Sequence, residues 1–366
     1  MTLVFNTPTQ IEHLCNEVRA APFIGLDTEF VRERTYYAQL ALIQIALPTK
    51  IVLVDPLAVD IRPLGHALKD GPITLVHAGR QDLELLLQET GVLPSPLFDT
   101  QIAAALVGHD EQIGYGPLVQ KLLGITLAKD ATRTNWAARP LTPHQCQYAE
   151  DDVRYLDALY QKLAAALTVH QRRAWLEEET AQLTDPGMYH PEPDQLLRRY
   201  RQGVALPQPA RNRFGALLLW REATAQKVNL PRAWVIADPV LVDLALHPPT
   251  HIADLANRRG LDTRAINRFG EDLLRVCTDS HSEYRWPSAL LDAEEDRIYK
   301  ELVQLVDTRA KTLGIAASLI ASRKTLKEIA QGAPPGPLAR TWRAQVLGES
   351  GQTLLSAAAR SHVAMA

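Results

Sequence analysis

The chain has 366 residues, 46% of them hydrophobic and 22% charged, with a formal net charge of −3. That composition excludes a disordered, fibrous or low-complexity chain, and the length suits two or three domains. No stretch reaches the roughly 20 apolar residues of a membrane span, and Glu12, His13, Asn16 and Glu17 interrupt the apolar run that a leader peptide would need.

The first predicted element is the strand "FIGLDTEF", residues 23–30. Residues i and i+2 of a strand share a face, so Asp27 and Glu29 point the same way beside an apolar core. Two like charges there cost stability and call for a compensating partner. "LALIQIAL" (40–47) and "IVLVDP" (51–56) follow as strands, and the break between them, with Pro48 and Lys50, predicts antiparallel pairing. "ITLVHA" (73–78) is a fourth strand, leading to a helix through "DLELLLQET" (82–90). Asp82 lies in its first turn, where the helix dipole and capping alone would explain a carboxylate. "LFDTQIAAALVG" (97–108) reads as a short strand running into a helix, with Asp99 as its cap.

From Pro143 to about Leu167 the apolar spacing predicts one long helix. Tyr148 and Asp152 are four apart and share a face. Asp152 joins Leu156 and Leu159 on the apolar stripe, whereas Asp151 and Asp157 flank it and Glu150 points away. A carboxylate on such a stripe needs a partner, and a divalent cation shared with Asp27 and Glu29 supplies one. The pattern predicts a mixed α/β sheet with helices on both faces.

Residues 170–208 read as a connector, with "DPGMYHPEPD" and "LPQPA" dense in proline. Beyond it the strand signals stop and the chain reads as helices. Residues 217–245 shifted by 85 meet 302–330 with apolar character kept, as in Leu217 with Leu302, Leu230 with Ile315 and Leu244 with Ile329. The shared register across helix, loop and helix predicts two copies of one small helical module.

Charge is uneven. Residues 1–169 carry 13 Lys/Arg against 19 Asp/Glu, a balance of −6, and the remainder sums to +3. Residues 196–232 hold eight basic residues, Arg198, Arg199, Arg201, Arg211, Arg213, Arg221, Lys227 and Arg232, and one acidic residue, Glu222. Two readings stay open from charge alone: a polyanion-binding surface beside a metal-dependent site, or uneven solvated helix faces. Cys15, Cys146 and Cys277 are far apart and odd in number, which fits a reducing cytoplasm and gives no zinc spacing.

"DTEF", "HAGRQDLELL" and "YAEDDVRYL", in this order and spacing, resemble the three exonuclease motifs of the ribonuclease D family, the DEDDy type of the ribonuclease H-like superfamily. "RTYYAQLALIQIA" and "NWAARPLTPHQCQYA" match that family as well, and the helical copies resemble HRDC modules, the first better than the second. The resemblance implies an exonuclease domain over 1–170, a connector over 171–208, a first HRDC domain over 209–283 and a second HRDC-like domain over 284–366. It implies Asp27, Glu29, Asp82 and Asp152 as metal carboxylates and Tyr148 as the tyrosine of the third motif. None of the five departs from the pattern.

The chemistry so implied is removal of nucleoside 5′-monophosphates from an RNA 3′ end with two Mg2+ or Mn2+ ions about 4 Å apart. By the same resemblance, Asp27 would bridge both ions, Glu29 and Asp152 would complete one site, Asp82 would help at the other, and Tyr148 would orient the attacking water. Hard oxygen donors suit these metals, and no His/Cys cluster suggests zinc.

Further candidates each have a structural alternative. His77 could touch the terminal nucleotide or be a buried, hydrogen-bonded histidine. Gln44 could reach substrate or face the next layer. Trp136 and Arg139 could order a loop over the site or simply pack. Tyr36 and Tyr37 could stack on a base or join the core. Arg198, Arg199, Arg211 and Arg213 form the candidate RNA-binding patch, with Arg258, Arg259, Arg264 and Arg268 further on.

The expected substrates are tRNA precursors with short 3′ extensions, with no obligate protein partner evident. A 3′–5′ DNA exonuclease and an inactive nucleic-acid-binding scaffold are the alternatives.

Overall fold

The computed structural model describes residues 3–128, 134–190, 193–200, 202–279, 284, 286 and 290–363. By contact the chain forms two compact units that do not follow chain order. One contains residues 1–31, 39–189 and 292–366, and the other residues 32–38 and 190–291.

The first unit is built on a six-stranded mixed sheet in the order β1-β4-β3-β2-β5-β6. Its strands are β1 (Leu3–Phe5), β2 (Phe23–Val31), β3 (Gln39–Leu47), β4 (Lys50–Val54), β5 (Ile73–Val76) and β6 (Leu97–Asp99). β2, β3 and β4 pair antiparallel, as the short breaks predict, and β1, β5 and β6 add in parallel. The helices of this part are α1 (Pro8–Ala20), α2 (Arg62–Leu68), α3 (Arg80–Thr90), α4 (Thr100–Leu106), α5 (Tyr115–Leu123), α6 (Pro143–Arg154), α7 (Leu156–Val169) and α8 (Arg173–Leu183). The expected fold class, a mixed sheet flanked by helices and followed by helical modules, holds.

One sequence expectation is corrected. The single helix expected over 143–167 is two helices, because Tyr155 leaves helical geometry at φ −108°, ψ 6°. The apolar stripe nevertheless continues through Leu156, Leu159 and Leu163, all 1% exposed or less.

The second unit is helical: α9 (Pro193–Leu197), α10 (Gln202–Ala205), α11 (Gln208–Val228), α12 (Arg232–Val235), α13 (Asp238–Leu246) and α14 (Thr263–Thr278). Leu217, Leu218, Leu241, Leu244 and Leu273 are at its core. The first unit also contains α15 (Ala293–Leu313), α16 (Ala317–Ile320), α17 (Arg323–Ala330) and α18 (Trp342–Val363, kinked at Gly348). α11, α12 and α13 recur as α15, α16 and α17 at an offset of 85, with each start and the first two ends in register. Even the left-handed residue closing the long helix recurs, as Asn229 (φ 50°) and Gly314 (φ 64°). The internal repeat read from the sequence is therefore a repeat of elements.

α15–α18 pack into the same core as the sheet. Trp342 stacks on Trp175 of α8 with centroids 4.4 Å apart, and its indole Nε1 donates to Glu179 at 2.7 Å. Arg172 donates to the Leu106 carbonyl at 2.5 Å and the Leu313 carbonyl at 2.7 Å. Among the described residues no helix is long and apolar enough to cross a membrane.

Candidate active site

β2 presents its side chains alternately. Asp27 and Glu29 face α6, whereas Thr28 faces α3, where its hydroxyl donates to the Asp82 carboxylate. A register shift between Glu29 and Phe30 ends the regular ladder just past the pair. Asp27, Glu29 and Asp152 each offer a carboxylate oxygen, all within 4.8 Å of one another, and each is partly exposed. Asp82, 8% exposed, lies alongside this trio.

The electrostatics are those of an uncompensated cluster. Burial first, then Asp82, Asp152 and Glu29, push the Asp27 pKa well above the usual carboxylate range. Glu29 rises to about 8, by burial and then Asp152 and Asp82. Asp152 rises to about 7, chiefly by burial, against a lowering effect of Tyr148. Asp82 rises to about 6, again by burial, opposed by the Thr28 hydrogen bond. Among the described residues no Lys or Arg contributes to any of these four shifts. Hard oxygen donors that repel one another and lack an internal counter-charge fit a divalent cation.

The turn into α3 is held rigidly. Ala78 adopts φ 55°, a left-handed conformation that costs a side-chain-bearing residue roughly 1 kcal/mol or more. Asp99, 1% exposed, fastens it by accepting from the amides of Ala78 (3.1 Å) and Gly79 (2.9 Å). The same carboxylate caps α4 through Gln101 N at 2.8 Å, so the capping reading of Asp99 holds. A Cβ at Gly79 would lie 2.5 Å from Val76 Cγ2, so only glycine fits there. Asp82 follows one turn later.

α6 begins with a capping box between Thr142 and Gln145 and with Pro143 in its first turn. Gln145 also donates to Thr134 Oγ1 at 3.1 Å, joining the helix start to the preceding loop. α7 begins close against β2, since a Cβ on Gly25 would meet Leu156 Cδ1 at 3.1 Å. Tyr148 sits one turn before Asp152, and burial, Asp152, Glu29 and Asp27 together raise its pKa. Trp136, 3% exposed, has its ring 6.0 Å from that of Tyr148 and packs with Leu42, Leu53 and Ala149. Arg139 binds Asp55 with Nε at 2.6 Å and Nη2 at 2.7 Å, and the carbonyls of Ala41 and Trp136 at 2.6 and 2.7 Å. Trp136 and Arg139 thus secure the loop against the sheet, and Trp136 backs Tyr148.

Beside Tyr148 and Asp152 opens a cavity of about 640 Å³, lined also by Tyr115, Gln120, His144 and Gln147. Sequence reading missed these residues. Tyr115 accepts from the Tyr155 amide at 3.0 Å, and Asp152 and Asp27 add to burial in raising its pKa. Its surroundings, "IGYGPL", carry no periodic signal that could have revealed it.

The remaining candidates separate from the cluster. Both nitrogens of His77 are engaged, Nδ1 with Thr100 Oγ1 at 2.9 Å and Nε2 with the Ile113 carbonyl at 3.0 Å, which is the buried, hydrogen-bonded alternative. Gln44 is wholly buried and has no surface to offer a substrate. Tyr36 groups with the helical unit, its hydroxyl donating to Glu222 at 2.5 Å and Arg232 lying 4.7 Å over its ring. The Arg232 guanidinium thus occupies the face of a ring that was a candidate either for stacking on a base or for the core. Arg211 donates to the carbonyls of Val204 and Leu206 at 2.9 and 3.0 Å, and Arg213 to that of Ala245 at 2.8 Å, so both brace the helical unit instead of forming a free patch. Arg199 is exposed, Arg198 is half-buried, and Arg201 lies outside the described residues.

Comparison with known proteins decides the family. The 3′–5′ exonuclease family matches residues 3–168 and the HRDC domain matches residues 210–277. Ribonuclease D of Jannaschia sp. is 36% identical over 97% of this chain and 96% of its own length. The chain belongs to the ribonuclease D family. Ribonuclease D of Zymomonas mobilis is likewise 36% identical, over 93% of this chain and 91% of the relative. The crystal structure of Escherichia coli RNase D, described as an exoribonuclease involved in structured RNA processing, superposes with a TM-score of 0.86. It is 30% identical and covers 97% of this chain and 99% of its own. As a ribonuclease D, the protein is a 3′–5′ exoribonuclease, and the acidic cluster at the end of β2 is its candidate centre.

Proposed function

We propose that the protein shortens RNA from its 3′ end by hydrolysis assisted by two divalent cations, Mg2+ or Mn2+, releasing nucleoside 5′-monophosphates. The observation that carries this reading is the trio of carboxylate oxygens within 4.8 Å at Asp27, Glu29 and Asp152. These three residues and Asp82 hold the cations. When bound, such cations supply an activated water and stabilise the departing 3′ oxygen. The chain's own contribution is placement: β2 and α6 fix the carboxylates, and the Ala78–Gly79 turn sets Asp82 beside them. Tyr148, its pKa raised, keeps its phenolic proton at neutral pH and orients water or phosphate as a donor instead of acting as a base.

Precursor tRNAs with short 3′ extensions, met in the cytoplasm, are the proposed substrates. The domain reading stays as 1–170 exonuclease, 171–208 connector, 209–283 first HRDC and 284–366 second HRDC-like module. RNA contact falls to the exposed Arg199 of the connector and the exposed Arg259, Arg264 and Arg268 of the first module, because Arg211 and Arg213 hold backbone carbonyls.

Digestion of a 3′-extended tRNA and a DNA of the same sequence, with Mg2+ or with EDTA, tests this. The expected result is stepwise shortening of the RNA, at least ten times slower attack on the DNA, and no product in EDTA. Faster loss of the DNA would identify a DNA exonuclease, and hydrolysis of neither a binding scaffold.

A further inference from the structure

Trp234 is an exception among the tryptophans. It is 58% exposed, whereas the other five are buried or half-buried, and it takes no part in the core of the helical unit. It stands on α12 and lines a groove of about 740 Å³ together with the buried Ile236, Leu261 and Phe269. Arg264 and Arg268 of α14 line the same groove, are exposed, and lie four residues apart on one face of their helix. Among the described residues neither is in an ion pair. Other arginines of this unit are engaged, Arg221 with Asp238, Arg232 with Glu222 and Arg258 with Asp243. The acid lining the groove, Asp262, is committed to capping α14, where it accepts from the Ala265 amide at 2.7 Å.

The internal repeat shows that the helical module does not need these three residues in order to fold. α14 recurs, at the same offset of 85, as the part of α18 that follows Gly348 and ends at Val363. The places of Trp234, Arg264 and Arg268 are taken there by Leu319, Glu349 and Thr353. Leu319 is 8% exposed and belongs to the core shared with the sheet, and the Ser318 hydroxyl beside it donates to Glu111. In the second copy this turn is therefore packed against protein. The first copy presents an indole at the same turn, with two uncommitted guanidiniums in the same groove.

That combination suits one class of ligand. An unpaired base stacks on an indole, and the phosphates of its strand meet guanidinium groups. A duplex keeps its bases stacked on one another and offers the indole no free face. We propose that the groove between α12 and α14 is a binding site for single-stranded RNA, in which Trp234 stacks on a base and Arg264 and Arg268 hold phosphates of the same strand. This deepens the reading that the first module contacts RNA, and rests on it.

The test uses the full-length chain in EDTA and fluorescence anisotropy of a labelled unstructured RNA oligonucleotide and of a blunt RNA duplex. Trp234→Ala is expected to bind the single strand about 10-fold more weakly and the duplex as the wild type does, and Trp234→Phe to recover most of the loss. Arg264→Gln combined with Arg268→Gln should lower the slope of log affinity against log salt by about 1.4, the share of two phosphates on a single strand. The variants should melt with the wild type, because the three side chains are exposed. Wild-type affinity and salt slope in the variants overturn the proposal. So does an equal loss of affinity for strand and duplex in Trp234→Ala, or a clear fall in melting temperature in both Trp234 variants, which would show a structural role. A wild type that sediments as a dimer beside a monomeric Trp234→Ala makes the groove an interface between copies and overturns the proposal as well. If the wild type binds no single-stranded RNA, the RNA reading of the module falls and this proposal with it. Binding by the wild type that the variants retain in full removes this proposal alone.

Discussion

The Thr28 hydroxyl donates to the Asp82 carboxylate, and this bond ties the second acidic motif to the strand carrying the first. Thr28 sits between Asp27 and Glu29, so its orientation onto α3 follows from the strand alternation that sends those two toward α6. Thr28→Val keeps the shape and removes the donor. We expect it to lower stability in EDTA by about 1–2 kcal/mol by urea unfolding, since a buried carboxylate loses its partner. Turnover should fall about 10-fold as Asp82 loosens. Unchanged stability and turnover would mean that Asp82 is held by the helix end alone.

The raised pKa values predict how the metal-free protein responds to pH. In the native state Asp82, Asp152 and Glu29 titrate near 6, 7 and 8, above the unfolded value near 4. Between these limits the native state binds more protons than the unfolded one, so stability is full below about pH 4 and is lost as pH rises through 6–8. Asp27→Asn removes one repelling charge. In EDTA it should melt with the wild type at pH 4 and above it, by a few degrees, at pH 8. Asp55, which is held low by Arg139, has the opposite pH dependence but is common to both proteins and cancels in the difference. A variant that melts lower at pH 8 would show that Asp27 has a structural partner.

Tyr148→Phe should leave Mn2+ affinity and KM nearly unchanged and reduce kcat about 100-fold, the scale of a lost positioned donor or acceptor. Stopped assays on a labelled RNA oligonucleotide, with calorimetry for the metal, separate these effects. A matching loss of metal affinity would place the hydroxyl among the metal-holding groups instead.

Trp136→Ala should cost about 3–4 kcal/mol in urea unfolding, because the indole is 3% exposed and packs with Leu42, Leu53 and Ala149. Because the ring backs Tyr148, the folded fraction should also turn over more slowly. A variant with wild-type stability would contradict the packing described.

What was legible in the sequence was local or periodic. The alternation in "FIGLDTEF" placed Asp27 and Glu29 on one face, the four-residue spacing placed Tyr148 with Asp152, and the offset of 85 carried whole element boundaries. What was not legible depends on partners distant in the chain. Leu3–Phe5 is too short to announce a strand and exists because β4 pairs with it. The break at Tyr155 interrupts no apolar spacing, so periodicity carried straight through it. The arginines counted as a basic patch include Arg213, whose partner is the Ala245 carbonyl, and no charge count reveals a backbone acceptor. Tyr36 looked available because Glu222 and Arg232, which engage it, are nearly 200 residues away, at |i−j| = 186 and 196.

The most direct test of the central claim is hydrolysis of a 3′-tailed RNA by the wild type and by Asp152→Asn, in Mg2+ and in EDTA, with melting curves for both. The account predicts 5′-monophosphates from the wild type in Mg2+ only, and none from a variant that melts no lower than the wild type in EDTA. Full activity in Asp152→Asn, or wild-type hydrolysis that persists in EDTA, would contradict it.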